Sequence, residues 1–257
     1  MRIVLFCNNW AGWQAFKWLL AQGEEVVGLV VHPEGSARCR GEILAEARRR
    51  PGIAVLDGSR LDREETVRSL AGLRPDIGLS VYFGYILKPE VLSLFPLEVL
   101  NLHPSYLPYN RGAHPNVWSI VEETPAGVTL HYVDAGIDTG DIVAQREVPV
   151  APSDTGGSLY RKLERAGLEL LQEAWPHIKA GRVRRQPQPR DRGTFHRVAQ
   201  LGELDRIDLD KEYRARDLIN LLRARTFPPY KGAYFEDQGR RVYIRLELEE
   251  EQSGGDG

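Results

Sequence analysis

Cysteine is nearly absent: Cys7 and Cys39 are the only two in 257 residues. They form neither a Cys-x-x-Cys pair nor the dense framework of a secreted scaffold, so a reducing, cytoplasmic setting is expected. No apolar run approaches the length of a membrane span. The opening "MRIVLFCNNWAGW" has one basic residue and an apolar run too short for a signal peptide. A soluble, unprocessed chain without membrane contact is expected. Charge of one sign is missing as well: 34 Lys and Arg against 36 Asp and Glu leave a formal charge of -2. That balance supplies no general pull toward nucleic acid or anionic lipid. Glycine is scarce where a dinucleotide enzyme needs it. "CNNWAGW" offers only Gly12, with Trp10 and Trp13 in the turn, whereas a G-x-G-x-x-G turn lets the backbone approach a pyrophosphate. There is no G-x-S-x-G elbow and no His close in sequence to either cysteine, so direct transfer rather than an acyl-enzyme is implied.

What is present is an alternation. "RIVLFC" (2–7), "VVGLVV" (26–31), "IAVL" (53–56) and "DIGLSVYF" (76–83) are short and apolar throughout, as strands covered on both faces are. Between them "AGWQAFKWLLAQG" (11–23), "GEILAEARRR" (41–50) and "LDREETVRSLAGL" (61–73) read as helices, the first ending in Gly23, the second stopped by Pro51 and the third rich in acid at its start. The pattern predicts an α/β fold, a Rossmann-like, doubly wound, mostly parallel sheet. "EVLNLH" (98–103) adds a strand, and Val128–Val133 with Ile142–Val148 a hairpin. A long helix at about 156–180, entered through Ser153 and Asp154 and closed by Gly181, completes a catalytic domain over 1–181. "RVRRQPQPRDRG" (182–193) reads as an extended linker, its prolines opposing helix and its arginines keeping it solvated. Residues 194–250 form a small C-terminal α+β appendage, with a helix at 214–224, an aromatic-rich loop at 225–235 and a strand at 240–248. It is too small to be an independent enzyme. A disordered tail is expected over 251–257.

The stretch "LNLHPSYLPYNRGAHPNVW" (100–118) sets Asn101 and His103 two positions apart. On a strand that spacing puts them on one face, at the carboxyl end where ligands of parallel sheets gather. Taken alone, the pair is equally a polar strand end under a Pro-rich loop. In "GVTLHYVDAGIDTGDI" (127–142), Thr129, His131 and Val133 share a face, and the following loop presents Asp134, Asp138 and Asp141, with glycines either side of Asp138. A calcium loop fits poorly because no Glu closes the set. Zinc on His103, His131 and Asp138 lacks a supporting His-x-x-x-His or Cys pair, so no metal is expected. An amide, an imidazole and a carboxylate at neighbouring sheet ends suit acyl transfer: the amide donates to an oxyanion, the imidazole moves a proton and the carboxylate sets its pKa. Asn8, Asn9 and Trp10 end the first strand and either contact a polar substrate or shape the loop.

"NLHPSYLPYNRGAHPNVW" together with "GVTLHYVDAGIDTGDIVAQREV" resembles the folate-dependent formyltransferase family, over about residues 76–180. The resemblance implies Asn101, His103 and Asp138 as the catalytic residues and 10-formyltetrahydrofolate as cosubstrate. It also implies that "YFGYILKPEVL" (82–92) receives the pterin, with Phe83, Tyr85, Leu87 and Leu92 as wall residues and Ile137 closing the other side. A neutral amine would attack the formyl carbon, giving a tetrahedral intermediate, and His103 or a water held by Asp138 would take its proton.

Within the family, "YLPYNRGAHPNVWSIVE" and "TFPPYKGAYF" are most similar to the nucleotide-sugar N-formyltransferases. A transfer-RNA formylating enzyme would need a basic appendage, whereas residues 201–257 carry 10 Lys and Arg against 13 Asp and Glu. The expected acceptor is therefore a nucleotide-linked amino-dideoxy sugar of bacterial surface polysaccharide such as lipopolysaccharide, dTDP-linked first and GDP-linked second. No nucleic-acid partner is expected, and the resemblance implies a homodimer. Asn9, Trp10, Tyr109, Asn110 and Arg111 are the candidate sugar and diphosphate contacts, Arg111 being alternatively a loop salt bridge. Phe227, Tyr230 and Tyr234 either stack on the base or pack the small domain, and His114 and His196 read as loop or surface residues. Methionyl-tRNA formylation, hydrolysis of formyltetrahydrofolate, and folate or nucleotide-sugar binding without turnover are the alternatives.

Overall fold

The computed structural model describes residues 1–251 apart from 37 and 190. The tail expected to be disordered thus lies, from residue 252, outside the described residues. The first half alternates as its sequence does: β1 (Arg2–Cys7), α1 (Asn9–Ala21), β2 (Glu25–Val31), α2 (Arg40–Arg48), β3 (Ala54–Asp57), α3 (Glu64–Gly72), β4 (Ile77–Val81), α4 (Pro89–Leu92) and β5 (Val99–His103). After the two-residue β6 (Arg111–Gly112) come α5 (Pro115–Val121), β7 (Gly127–Tyr132), β8 (Ile142–Glu147) and α6 (Gly156–Lys179). The C-terminal piece holds β9 (Phe195–His196), α7 (Gln200–Asp205), α8 (Ala215–Ala224), β10 (Tyr234–Asp237) and β11 (Arg240–Tyr243).

Seven strands form one sheet in the order β3-β2-β1-β4-β5-β7-β8. β1 to β5 run parallel, and β7 and β8 close the edge antiparallel. This is the Rossmann-like, doubly wound sheet with a small C-terminal appendage that the alternation predicts. Side-chain parity divides the core. Ile3, Leu5 and Cys7 of β1 face a layer made by α1 and α6, with Phe16, Leu163 and Trp175. Val4 and Phe6 face the opposite layer, with Leu70, Val91 and Phe95. The chain reverses its winding between β1 and β4, so their carboxyl ends diverge and leave a crevice.

Several elements differ from their sequence-based expectation for local reasons. The long helix spans Gly156–Lys179, close to the expected 156–180, but its cap is Thr155, whose hydroxyl takes the Ser158 N–H while the Ser158 hydroxyl accepts the Thr155 N–H, a capping box. Asp154 instead braces the approach, accepting from the Ala151 N–H and Lys162. Gly181 does close the helix, at φ 62°. α5 falls in the stretch read as a Pro-rich loop, yet Pro115 sits in its first turn, where no N–H is needed, as Pro89 does in α4. The C-terminal strand ends at Tyr243 and pairs with β10, drawn from the expected aromatic loop. Gln238 and Gly239, at φ 48° and 73°, form the two-residue turn with positive φ at both positions that matches strand twist.

The strand that bears the site, β5, is seated under α6. Leu102 is 1% exposed, and Gly167 of α6 approaches it so closely that a Cβ there would lie 3.2 Å from its side chain. Leu102→Ala is expected to lower unfolding free energy by about 2–5 kcal/mol in urea denaturation; a loss below about 1 kcal/mol would mean that this contact does not hold the helix to the sheet.

Candidate active site

The β5–β7 register builds the centre of the site. Antiparallel pairing sets Asn101 opposite His131 and His103 opposite Thr129, and the period of two keeps Asn101, His103 and His131 on one face. The loop after β7 then turns Asp138 back onto them with φ 54°. One Asp138 carboxylate oxygen lies 3.6 Å from His103 Nδ1 and accepts the Gly112 N–H at 2.9 Å. The other lies 3.5 Å from His131 Nε2 and accepts from the Asn101 amide at 3.3 Å. Gly112 has to be glycine for this: its φ is 85°, and a Cβ would stand 2.4 Å from the His196 carbonyl.

Backbone acceptors fix both rings. His131 Nδ1 is 2.7 Å from the Tyr132 carbonyl, so it carries the hydrogen, and Nε2 is left to accept from the Asn101 amide at 3.1 Å. His103 Nε2 is 3.2 Å from the Asn110 carbonyl and is likewise the N–H. Its Nδ1 lone pair therefore faces Asp138.

Burial lowers the His103 pKa from its usual 6.5, with the Asp138 charge working against it. For Asp138 burial works upward, but the neighbouring His103 and His131 rings and the Gly112 N–H outweigh it and hold the carboxyl well below its usual range. At neutral pH the pair is thus a neutral imidazole beside a carboxylate.

A cavity of about 610 Å³ opens above these groups. Phe83, Tyr85, Leu87, Val133 and Ile137 line it with Tyr82 and Tyr160, and so do His114 and Phe195 to Val198. Of the residues expected to meet the cosubstrate, Phe83, Tyr85, Leu87 and Ile137 line this cavity. Leu92 does not, because it turns into the core layer beside Val91 and Phe95.

The expected acceptor contacts are placed differently. Asn110 is fully buried; its amide donates to Ser119 and Thr124 and accepts from Thr194, so its side chain is a structural hub and only its carbonyl reaches His103. The Arg111 guanidinium donates two bonds to Gln188 at 3.0 and 2.8 Å. Gln188 in turn donates to the Asp138 and Gly140 carbonyls, so Arg111 braces the Asp138 loop through a neutral amide. Trp10 packs against the core, and neither it nor Tyr109 is among the cavity walls. Asn9 stays behind the wall and donates to the Tyr160 hydroxyl. His196, read as a surface residue, is buried, stacked 4.0 Å from Trp118 and bonded to Glu122.

Sequence reasoning used His131 only as a doubtful zinc ligand. Its parity with Thr129, joined to an antiparallel partner at Asn101, carries the signal that places it. Gln188 and the 195–198 rim carry none, since their position depends on a contact distant in sequence.

Residues 37–175 match the family model described as formyl transferase, and residues 200–250 match the N-formyltransferase dimerization C-terminal domain. A methionyl-tRNA formyltransferase of Acetivibrio thermocellus is 33% identical over 98% of this chain and 81% of that protein. In structure the chain is similar to a 4-N formyltransferase from Francisella tularensis, with a TM-score of 0.81 and 28% identity over 97% of this chain and 98% of that one. A formyltransferase from Anoxybacillus kamchatkensis, solved with UDP-4,6-dideoxy-4-formamido-L-AltNAc and tetrahydrofolate, matches with a TM-score of 0.56 and 30% identity over 79% and 89% of the two chains. The chain belongs to the formyl transferase family.

The electrostatics give a pH dependence with a definite sign. Both His103 and Asp138 hold their protons less tightly in the folded chain than in the unfolded one. Their contribution to stability is complete above about pH 6.5. It falls first as pH drops from there through the folded His103 value, and again below about pH 3.9 as Asp138 protonates. Proton–nitrogen NMR is expected to give a His103 midpoint below 6.5, and Asp138→Asn to move it further down by removing the charge that opposes burial. A wild-type midpoint above 6.5 would contradict this electrostatic picture.

Proposed function

We propose that this formyltransferase N-formylates the amine of a nucleotide-linked amino-dideoxy sugar, using 10-formyltetrahydrofolate as donor, and that Asn101, His103 and Asp138 are its catalytic residues. Phe83, Tyr85, Leu87, Val133 and Ile137 give the cavity the apolar and aromatic lining that would hold the cosubstrate's bicyclic ring. When bound there, the cosubstrate would supply an activated formyl carbon.

The chain's own groups supply the rest. His103 is neutral, with its Nε2 hydrogen committed to the Asn110 carbonyl, so Nδ1 is free to take the proton that an attacking amine must lose. The imidazolium so formed gains a direct ion pair with Asp138, 3.6 Å away, and the carboxylate thereby raises the basicity of the ring as the proton arrives. Asn101 presents an amide at the same floor, positioned to donate to an oxygen that gains negative charge. Its hydrogen bond to Asp138 is long, at 3.3 Å, and is readily exchanged for such an acceptor.

The observation that most supports the acceptor is the C-terminal piece. Residues 200–250 match an N-formyltransferase dimerization domain, and residues 201–257 carry 10 Lys and Arg against 13 Asp and Glu, a net acidic balance where a transfer RNA favours a basic one. The chain is accordingly read as a catalytic domain over 1–181 followed by an extended 182–193 segment and a small 194–250 domain through which two copies associate.

Mass spectrometry after incubation with 10-formyltetrahydrofolate and dTDP-, GDP- and UDP-linked amino sugars, beside methionyl-tRNA, tests the acceptor. A formyl adduct on one nucleotide sugar is expected, and modification of methionyl-tRNA alone would overturn the reading. His103→Ala and Asp138→Ala are each expected to cut turnover at least about a hundredfold, the scale of a lost acid–base group; near-normal turnover in both would remove them from the mechanism.

A further inference from the structure

The stretch 83–87, which carries Phe83, Tyr85 and Leu87, belongs to neither β4 nor α4, and all of its residues line the cavity. Among the described residues it makes no backbone-to-backbone hydrogen bond. One imidazole holds it instead. His32, the first residue after β2, accepts the Gly84 N–H on Nε2 at 3.1 Å. Its ring meets Phe83 edge to face at 5.2 Å and Tyr85 at 4.8 Å, and those two rings meet each other at 5.4 Å. His32 is half-buried and does not itself line the cavity, so it stands behind the stretch that does.

The packing around this stretch is close. A Cβ on Gly84 would lie 3.3 Å from His32 Cε1, and one on Gly58, next after β3, would lie 2.6 Å from the Phe83 ring and 3.2 Å from the Tyr85 ring. The charged and titratable groups facing His32 come from three elements. They are the Asp57 carboxylate at the end of β3, the Arg40 guanidinium of α2, which donates to the His32 carbonyl at 3.1 Å, and the Tyr85 phenol of the stretch itself. Burial lowers the His32 pKa from its usual 6.5, with the Asp57 charge working against it. The ring is therefore neutral at neutral pH and keeps its Nε2 lone pair for Gly84. A proton on that nitrogen would set one N–H against another.

We propose that His32 is a positioning residue for the cosubstrate: by accepting the Gly84 N–H and packing on Phe83 and Tyr85, it presets the 83–87 lining against which the bicyclic ring would lie. An irregular stretch without backbone bonds of its own would otherwise have to be ordered by the ligand, at a cost in affinity. The inference rests on the reading that this lining receives the cosubstrate.

Calorimetric titration of the full chain with 5-formyltetrahydrofolate, an isomer of the cosubstrate, reads the lining apart from catalysis. His32→Ala is expected to weaken binding about fivefold at neutral pH, the scale of one lost hydrogen bond. His32→Gln supplies an uncharged acceptor and is expected to recover most of that affinity. The lowered pKa gives the pH dependence its sign: the bond is intact above about pH 6.5 and is lost as pH falls through the folded His32 value. Wild-type affinity is therefore expected to fall at about pH 5 by at least about threefold more than that of His32→Gln, which carries no titrating ring at this position. The comparison cancels the titration of His103 and of the ligand, which both proteins share.

Wild-type binding that His32→Ala leaves unchanged, or one pH profile shared by the wild type and His32→Gln, would overturn the positioning role while leaving the cosubstrate reading intact. A wild type that binds no 5-formyltetrahydrofolate would overturn both.

Discussion

A carboxylate that is 14% exposed organises the centre of this molecule. Burying Asp138 in ionised form is costly unless fixed donors replace its lost hydration, and the donors come from separate parts of the chain. β5 gives the Asn101 amide and β6 the Gly112 N–H, while β7 sets the His131 ring 3.5 Å from the carboxylate, where its Nε2 accepts from the same amide. The loop itself is held from behind by Gln188 through the Asp138 and Gly140 carbonyls. None of these groups can move far without leaving the charge short of a partner, so the β5–β7 register, the bend at Gly112 and the path of residue 188 all answer to one side chain. The same arrangement orients His103, whose Nδ1 has Asp138 beside it while Nε2 is tied to the Asn110 carbonyl.

That dependence joins the C-terminal piece to the chemistry. The stretch from 182 to 189 is largely exposed, in line with its arginines, yet it is tied to the sheet at particular residues. Arg185 pairs with Glu98 and stacks 3.8 Å from the Tyr132 ring. Gln186 exchanges backbone bonds with Ile142. Thr194 bonds the buried Asn110, and β9 pairs with β6. Farther on, Arg223 of α8 donates to the carbonyls of Ala151, Pro152 and Asp154 ahead of α6. These bonds bring Phe195 to Val198 to the cavity rim. Residues remote in sequence from Asn101 and His103 therefore shape what reaches them.

The legible part of the sequence was the part governed by local period. Continuous apolar runs gave β1, β2 and β4, parity placed Asn101 beside His103, and the Gly-flanked loop singled out Asp138. What could not be read depended on tertiary choices. Asn110 and Arg111 are polar residues in a loop next to a catalytic strand, and in sequence nothing distinguishes a buried hub from a ligand contact. Only the approach of Thr194 and Gln188 satisfies their hydrogen bonds internally. Leu92 follows the same logic, since a short helix begun at Pro89 turns it from the cavity toward the core. In the 100–118 stretch proline misled for a reason that position explains: at the first turn of α5, Pro115 starts a helix.

The lack of a covalent nucleophile is also a structural property of the site. Cys7 is completely buried and its thiol is pushed up to about 12 by that burial alone, so the thiolate needed for attack is negligible at neutral pH. Cys39 lies outside the cavity walls, and Ser80, which is on them, has no hydrogen bond to an imidazole among the described residues. A site so built gains nothing from forming an acyl-enzyme. In the proposed mechanism it needs the two substrates held together and one proton removed from the incoming amine, and a neutral imidazole suits that step because accepting the proton creates charge next to a carboxylate already in place. The lowered pKa of His103 keeps the ring able to accept, and Asp138 makes acceptance favourable when it occurs. The buried carboxylate thus links the architecture to the proposed reaction: the Gly112 N–H and the Asn101 amide hold it in place, and the Asn110 carbonyl turns the remaining lone pair of His103 toward it.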